Sequence, residues 1–215
     1  MGRETPGGIE AMRWMEEVLK RRNAPAQDPG LRKTFSSLPR AAIKIICCDL
    51  DKGINHGNIL RIADCFRLEQ VIFSPVSRRK EKDFSGGFAA LKWQPYKWQP
   101  TVQAVSEARE QAYRIYGLAL GEQSRALRSI EWQHPCAIVL GQELTGIDED
   151  VLELCDELLA IPMYGMFDSL NVAVSCALAV ESCHCAYVTA NDDFVPARTA
   201  SNALLESQSK KRQET

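Results

Sequence analysis

Apolar positions along this chain switch between two periods. Short β-branched runs at Ile43-Lys-Ile-Ile-Cys-Cys48, Gln70-Val-Ile-Phe73, Tyr113-Arg-Ile-Tyr-Gly-Leu-Ala-Leu120, Ala137-Ile-Val-Leu140 and Leu158-Leu-Ala-Ile161 read as strands. Helical spacing appears between them. Residues 55–67 place Ile59, Ile62, Ala63 and Phe66 on one face, and 101–112, 148–155 and 169–187 are further helices. A short helix containing Trp93 follows Ser85-Gly86-Gly87. Five or six apolar strands separated by helices predict an α/β fold: a mostly parallel sheet with helices on both faces. Ligands in such folds sit at the carboxyl ends of the strands. The loops at 49–57, 74–87, 120–123, 141–146 and 162–169 occupy those ends.

The flanks follow a different pattern. Residues 9–22 carry Ile9, Met12, Met15, Val18 and Leu19 at helical spacing and end in Lys20-Arg21-Arg22, which predicts an amphipathic helix with a basic tip. Residues 23–41 read as linker, and the chain from about Asn191 reads as a polar, loose tail. The expected division is an extension over 1–41, a domain over 42–190 and a tail over 191–215.

Composition narrows the class. A chain of 215 residues with 45% hydrophobic and 25% charged residues has material for one full core. No unbroken apolar run reaches the roughly 18 residues of a membrane span. Met1-Gly-Arg-Glu-Thr-Pro lacks an apolar signal core, so the expected location is cytoplasmic, with no membrane partner. The eight cysteines form no Cys-x-x-Cys pair and lie mostly in apolar runs, which predicts buried free thiols. Cys183-His184-Cys185 is read as structural, because adjacent helical positions point in different directions; no metal is expected. The net charge of −2 argues against non-specific coating of nucleic acid. Local basic clusters at Lys20-Arg21-Arg22, Arg32-Lys33, Arg78-Arg79-Lys80 and Lys210-Lys211-Arg212 still suit a structured RNA.

Three loops concentrate chemistry. After the first strand, Asn55 is placed to cap a helix, and Asn58 and Arg61 share one face of it. After the strand 137–140, Gly141 and Gly146 flank Glu143, which has acceptors for hydroxyls or for Arg61. No Gly-Lys-Ser/Thr ends that loop, and no Gly-x-Gly-x-x-Gly is present, so neither a P-loop nor a nicotinamide site is supported. After the strand 158–161, Pro162 breaks the run, and Ser169 and Asn171 open the long apolar helix. None of His56, His134 and His184 sits in a nucleophile motif. Trp93, Tyr96 and Trp98 beside Lys92 and Lys97 suit base stacking or, more simply, packing onto the sheet.

Asn55-His-Gly-Asn-Ile-Leu-Arg61, Ile138-Val-Leu-Gly-Gln-Glu-Leu-Thr-Gly146 and Ile161-Pro-Met through Ser169-Leu-Asn-Val172 together resemble the three ordered motifs of the SpoU (TrmH-type) RNA 2′-O-methyltransferases of the SPOUT superfamily, over roughly 43–188. Arg67 stands where that family usually has glycine. The resemblance implies a C-terminal deep trefoil knot, S-adenosylmethionine held in bent form, and a homodimer whose active sites draw on both chains. It also implies roles. Arg61 is the catalytic arginine, supported by Asn55, Glu143, Ser169 and Asn171. Leu140, Gly141, Ile161, Met163 and Leu170 contact the cofactor, with Leu120 and Gly121 at its adenosine end. An arginine normally stays protonated, so assistance through the substrate phosphate is the favoured role. The implied substrate is RNA, tRNA ahead of rRNA. A catalytically silent RNA-binding relative is the alternative.

Overall fold

A computed structural model describes residues 33–77, 84, 86, 87 and 89–197. Residues 38–197 form one compact unit. The expected helix at 9–22, the basic clusters at 20–22, 78–80 and 210–212, Ser85 and the tail beyond 197 lie outside the described residues.

Seven strands make one sheet: β1 (Ala41–Cys47), β2 (Leu68–Phe73), β3 (Tyr96–Trp98), β4 (Arg114–Leu118), β5 (Arg125–Ala126), β6 (Cys136–Leu140) and β7 (Glu157–Ala160). Their spatial order is β3-β2-β1-β6-β4-β7-β5, and every pairing is parallel. The helices are α1 (Gly53–Cys65), α2 (Thr101–Glu110), α3 (Glu149–Leu152) and α4 (Val172–Ala190). The five apolar runs expected as strands are β1, β2, β4, β6 and β7, and Trp93 follows the 3₁₀ turn Ala90–Lys92.

Side-chain alternation builds the two covered faces. In β1, Ile43, Ile45 and Cys47 join one cluster with Ile59, Leu60 and Ala63 of α1 and Val172, Ala173, Cys176, Ala179, Val180 and Cys183 of α4. Ile46 and Cys48 join the other, with Ala104, Val105 and Ala108 of α2 and Val151 of α3. β6 divides likewise, with Cys136, Ile138 and Leu140 on the first face and Ala137 and Val139 on the second. Each fully buried aliphatic side chain contributes about 1.5–3 kcal/mol, so the sheet interior holds most of the fold's stability.

α4 has 19 residues and a mean hydropathy of 1.4 over its most apolar window, long and apolar enough by length and composition to cross a membrane. The expectation from unbroken runs missed this, because single polar residues interrupt the run without breaking the helix. One face of α4 is buried against the sheet and α1.

Two strands were not anticipated. β3 has three residues and β5 two, too short to show a period. Tyr96-Lys-Trp98 pairs with Val71, Ile72 and Phe73. The Trp98 ring lies 5.4 Å from Phe73 and 5.7 Å from His56. Packing, the simpler reading of this aromatic group, therefore accounts for Trp98.

Candidate active site at the carboxyl edge of the sheet

Strand register assembles the three motif loops. Cys47 pairs with Leu140, Leu140 with Leu118, and Leu118 with Leu159. Four strands therefore end in one row, and the segments after β1, β6, β4 and β7 leave it side by side. The Cys48 amide donates to the Leu140 carbonyl at 2.9 Å, fixing the first two together. β6 enters between β1 and β4, where the strand order turns back on itself, the position at which parallel sheets bind ligands.

A directed chain of hydrogen bonds then links all three motifs. The Ala173 N–H donates to Asn171 Oδ1 at 2.9 Å. Asn171 Nδ2 donates to Asn55 Oδ1 at 3.1 Å, across 116 residues of sequence. Asn55 Nδ2 donates to Glu143 Oε1 at 2.5 Å, across 88 residues. Glu143 Oε2 also accepts the Asp51 amide at 3.1 Å. A backbone N–H can only donate and a carboxylate can only accept, so the two ends fix the orientation of both amides between them. The chain runs from the positive end of α4 to a negative charge, an arrangement in which each bond polarises the next.

The structure corrects three local expectations. Asn55 is not a cap: α1 begins at Gly53 after Lys52, and Asn55 is 1% exposed inside its first turn. Glu143 does not orient Arg61, since its carboxylate is engaged by Asn55 and Asp51. Arg61 is exposed in the third turn of α1 and makes no hydrogen bond or ion pair with any described residue. Asn171 does cap α4, but Ser169 lies outside the helix and is exposed.

The residues expected at a cofactor line the same edge. Gly141 approaches the backbone of the next turn so closely that a Cβ there would stand 2.4 Å from the Gly146 carbonyl carbon. That approach closes a reciprocal pair, Gln142 N–H to Gly146 O at 2.8 Å and Gly146 N–H to Gln142 O at 3.1 Å. Gly146 has φ +76°, a left-handed value that favours glycine. The backbone N–H groups of Gly141, Met163 and Leu170 donate to no backbone carbonyl among the described residues. Leu120 is 60% exposed and Leu170 40%, while Ile161 and Met163 are half-buried. The next turn is held by Ser124, whose Oγ donates to the Ala119 carbonyl at 2.8 Å and whose N–H donates to Gly121. Exposed apolar side chains and free amides at one rim suit an amphipathic ligand with a polar and an apolar part.

Other candidates resolve differently. His56 is wholly buried, 4.7 Å from the Phe73 ring and 5.3 Å from Phe84, and is core. All eight cysteines are free. Cys183-His184-Cys185 diverges as expected: Cys183 is buried, His184 meets the Phe66 and Phe194 rings, and Cys185 is exposed. Burial and the Arg67 charge pull His184 down to about 4. Arg67 has φ 51°, which explains why a glycine suits that position. Its guanidinium nitrogens are buried without hydrogen-bond partners among the described residues, 4.2 Å above the Phe194 ring. A surface cavity of about 270 Å³ lies at the opposite end of the sheet, lined by Arg109, Arg114, His134 and Asp156 among others, and shares nothing with the motif loops.

A sequence profile of the SpoU rRNA Methylase family matches residues 42–181. The chain is 32% identical over 135 residues to the tRNA (guanosine(18)-2′-O)-methyltransferase of Escherichia coli (strain K12), a match covering 62% of this chain and 59% of that relative. The structure resembles the Aquifex aeolicus TrmH/SpoU tRNA modifying enzyme with a TM-score of 0.66 and 20% identity, covering 92% of this chain and 97% of the other. It also resembles the SpoU methyltransferase AviRb from Streptomyces viridochromogenes, solved in complex with the cofactor AdoMet, with a TM-score of 0.61 and 20% identity, covering 77% and 66%. The profile spans well over half of the chain and takes in all three linked loops: the chain belongs to the SpoU rRNA Methylase family.

Proposed function

We propose that this protein transfers a methyl group from S-adenosylmethionine to a ribose 2′-hydroxyl of RNA, with tRNA as the substrate. The observation that carries the reading is the hydrogen-bond chain from α4 through Asn171 and Asn55 to Glu143, beside an Arg61 with no described partner. The tRNA assignment is supported by the E. coli relative, whose length the match spans by 59%.

The donor set fits the cofactor. S-Adenosylmethionine, when bound, supplies an electrophilic methyl group. Gly141, Met163 and Leu170 offer backbone amides, Leu120, Gly121 and Ile161 offer a mostly apolar wall, and Leu140, buried in the core, meets the ligand only through backbone. Arg61 holds the phosphate next to the target ribose as a charge-assisted, bidentate partner. It thereby fixes the 2′-oxygen, and in-line positioning supplies much of the rate. Ser169 is free to contact the ribose or the departing proton. Asn55, Asn171 and Glu143 keep the loops in place.

The assembly and location belong to the same proposal. Tyr164, Met166 and Phe167 are 84–99% exposed, and Val174 and Leu178 stand out from α4. A second copy of the chain covering them makes a homodimer whose sites draw on both chains. The late entry of β6 between β1 and β4 supports a trefoil knot in the C-terminal part. Basic clusters in the flanking sequence, Lys20-Arg21-Arg22 and Lys210-Lys211-Arg212, supply charge for contact with RNA phosphates. The free thiols favour a reducing, cytoplasmic setting.

The test is Arg61→Ala, assayed with radiolabelled S-adenosylmethionine on unmodified tRNA and on rRNA fragments. Methyl transfer to tRNA should fall at least a hundredfold, while calorimetry shows cofactor affinity within about threefold of wild type. Undiminished turnover removes Arg61 from the mechanism. Failure of the folded wild-type protein to bind the cofactor favours a silent RNA-binding role.

A further inference from the structure

At the amino end of β6, away from the methyl-transfer site, three metal-ligating side chains meet. Cys136 opens β6, His134 stands two residues before it, and Cys183 projects from α4. The Cys136 and Cys183 sulfurs lie 3.4 Å apart, and Cys183 Sγ lies 3.4 Å from His134 Nε2. All three atoms fall within 4.8 Å of one another. We propose that Cys136, Cys183 and His134 bind one zinc ion that pins α4 to the sheet.

Bond lengths make the case. With Zn–S of about 2.3 Å and Zn–N of about 2.05 Å, the 3.4 Å N···S separation corresponds to an angle near 103° at the metal. The 3.4 Å S···S separation corresponds to about 95°, and opening it to roughly 3.8 Å reaches the tetrahedral value. These two pairs need shifts of a few tenths of an ångström at most, and the third, Cys136 Sγ to His134 Nε2, which lies within 4.8 Å, must close to about 3.6 Å on binding. Thiol–thiol and thiol–imidazole hydrogen bonds hold the same atoms together in the ion's absence.

The surroundings fit as well. Both cysteines are wholly buried, whereas His134 is half-buried and lines the 270 Å³ cavity, which gives the ion an entry path and a water for its fourth position. No fourth protein ligand stands within reach among the described residues. The cations in that cavity, Arg109 and Arg114, lie 3.8 and 3.9 Å from Asp156, and two thiolates cancel the ion's charge. Zinc binds cysteine as the thiolate, so uptake at the two thiols releases protons. The spacing explains why sequence reading missed the site: His134-x-Cys136 is one close pair, and the third ligand lies 47 residues on.

Cys183 lies 12 positions beyond the α4 cap at Asn171, about 18 Å along the helix, so this tie is structural and stands apart from methyl transfer. The test uses the full chain, without a histidine tag, reduced and stripped of metal. Titration with Co²⁺ should give one equivalent of tetrahedral thiolate-ligated metal by its charge-transfer and d–d bands, displaced by Zn²⁺. Zinc at a hundredfold excess over Kd should raise the melting temperature by about 5 °C or more. His134→Gln, a change at the half-buried ligand, and Cys183→Ala should each weaken Co²⁺ binding at least tenfold with unchanged cofactor affinity. Absence of the bands in the folded protein overturns the proposal. So do bands that persist equally in both variants, which place the ion elsewhere. A Cys136–Cys183 disulfide that takes up no metal after reduction also overturns it. If Cys183→Ala does not fold, His134→Gln alone decides.

Discussion

Asn55→Asp replaces one donor in the motif-linking chain with an acceptor of the same shape. Asn55 Nδ2 stands 2.5 Å from Glu143 Oε1 and the residue is 1% exposed. Two ionised carboxylates at that separation repel by about 6–7 kcal/mol at an effective dielectric constant of 20. The folded variant avoids this by keeping one proton on the pair, whereas the unfolded chain releases it above the ordinary aspartate range, near pH 4. The folded state then binds more protons than the unfolded state, so stability relative to wild type falls as pH rises. The slope is about 1.4 kcal/mol per pH unit, until the shared proton is finally lost. Urea unfolding of wild type and variant at half-unit steps from pH 4.5 to 8 measures it, because the wild-type dependence cancels in the difference. Asn55→Ala is the control: it removes two hydrogen bonds without adding charge, and costs a pH-independent 2 kcal/mol or so. A flat difference for Asn55→Asp refutes the Asn55–Glu143 contact and with it the directed chain.

Three further outcomes follow from single positions. Arg67→Gly relieves a positive φ and removes a buried guanidinium without hydrogen bonds, against the loss of one cation–π contact. The net gain of about 1 kcal/mol appears as a melting temperature 2–4 °C higher, and a lower one refutes the balance. Gly141→Ala places a Cβ 2.4 Å from the Gly146 carbonyl carbon, so the 141–147 turn must open. Calorimetry should find cofactor affinity at least tenfold weaker, and an unchanged value takes this turn out of the binding site. His184, lowered to about 4 by burial and by Arg67, stays neutral in the fold while the unfolded chain protonates below about pH 6.5. Stability is therefore lost between pH 6.5 and 4, by about 2 kcal/mol after allowance for solvent screening, and His184→Gln should remove that loss in acid urea titrations.

The sheet was legible wherever burial on both faces writes a continuous apolar run, as in Ile43–Cys48 and Ala137–Leu140. It was illegible at β3 and β5, whose three and two residues are recruited by a neighbour's free edge rather than by their own pattern. Helix starts failed for a related reason. Asn55 looks like a cap by residue type, yet α1 starts at Gly53, so the asparagine turns its side chain across to Glu143. Asn171 looks the same and is a cap, because Pro162 and the loop after it keep the preceding segment out of the helix. Only the tertiary partner distinguishes the two asparagines.

That partner also reassigns the work within the motifs. Glu143, Asn55 and Asn171 spend their hydrogen-bonding capacity on one another and on backbone amides, so replacing any of them should move loops before it touches chemistry. Arg61 and Ser169 are exposed, and Arg61 is held by nothing described, although it rides on the same helix as the anchored Asn55. Six residues, about 9 Å of helical rise, separate a fixed side chain from one with no described partner on a rigid element. Such a helix presents a cation at a defined distance from the proposed cofactor wall, with its fork unspent on any described residue. The proposed substrate, a ribose hydroxyl beside a phosphate, calls for that combination, because an anion is held at full strength only by a group that gives up no internal partner to hold it.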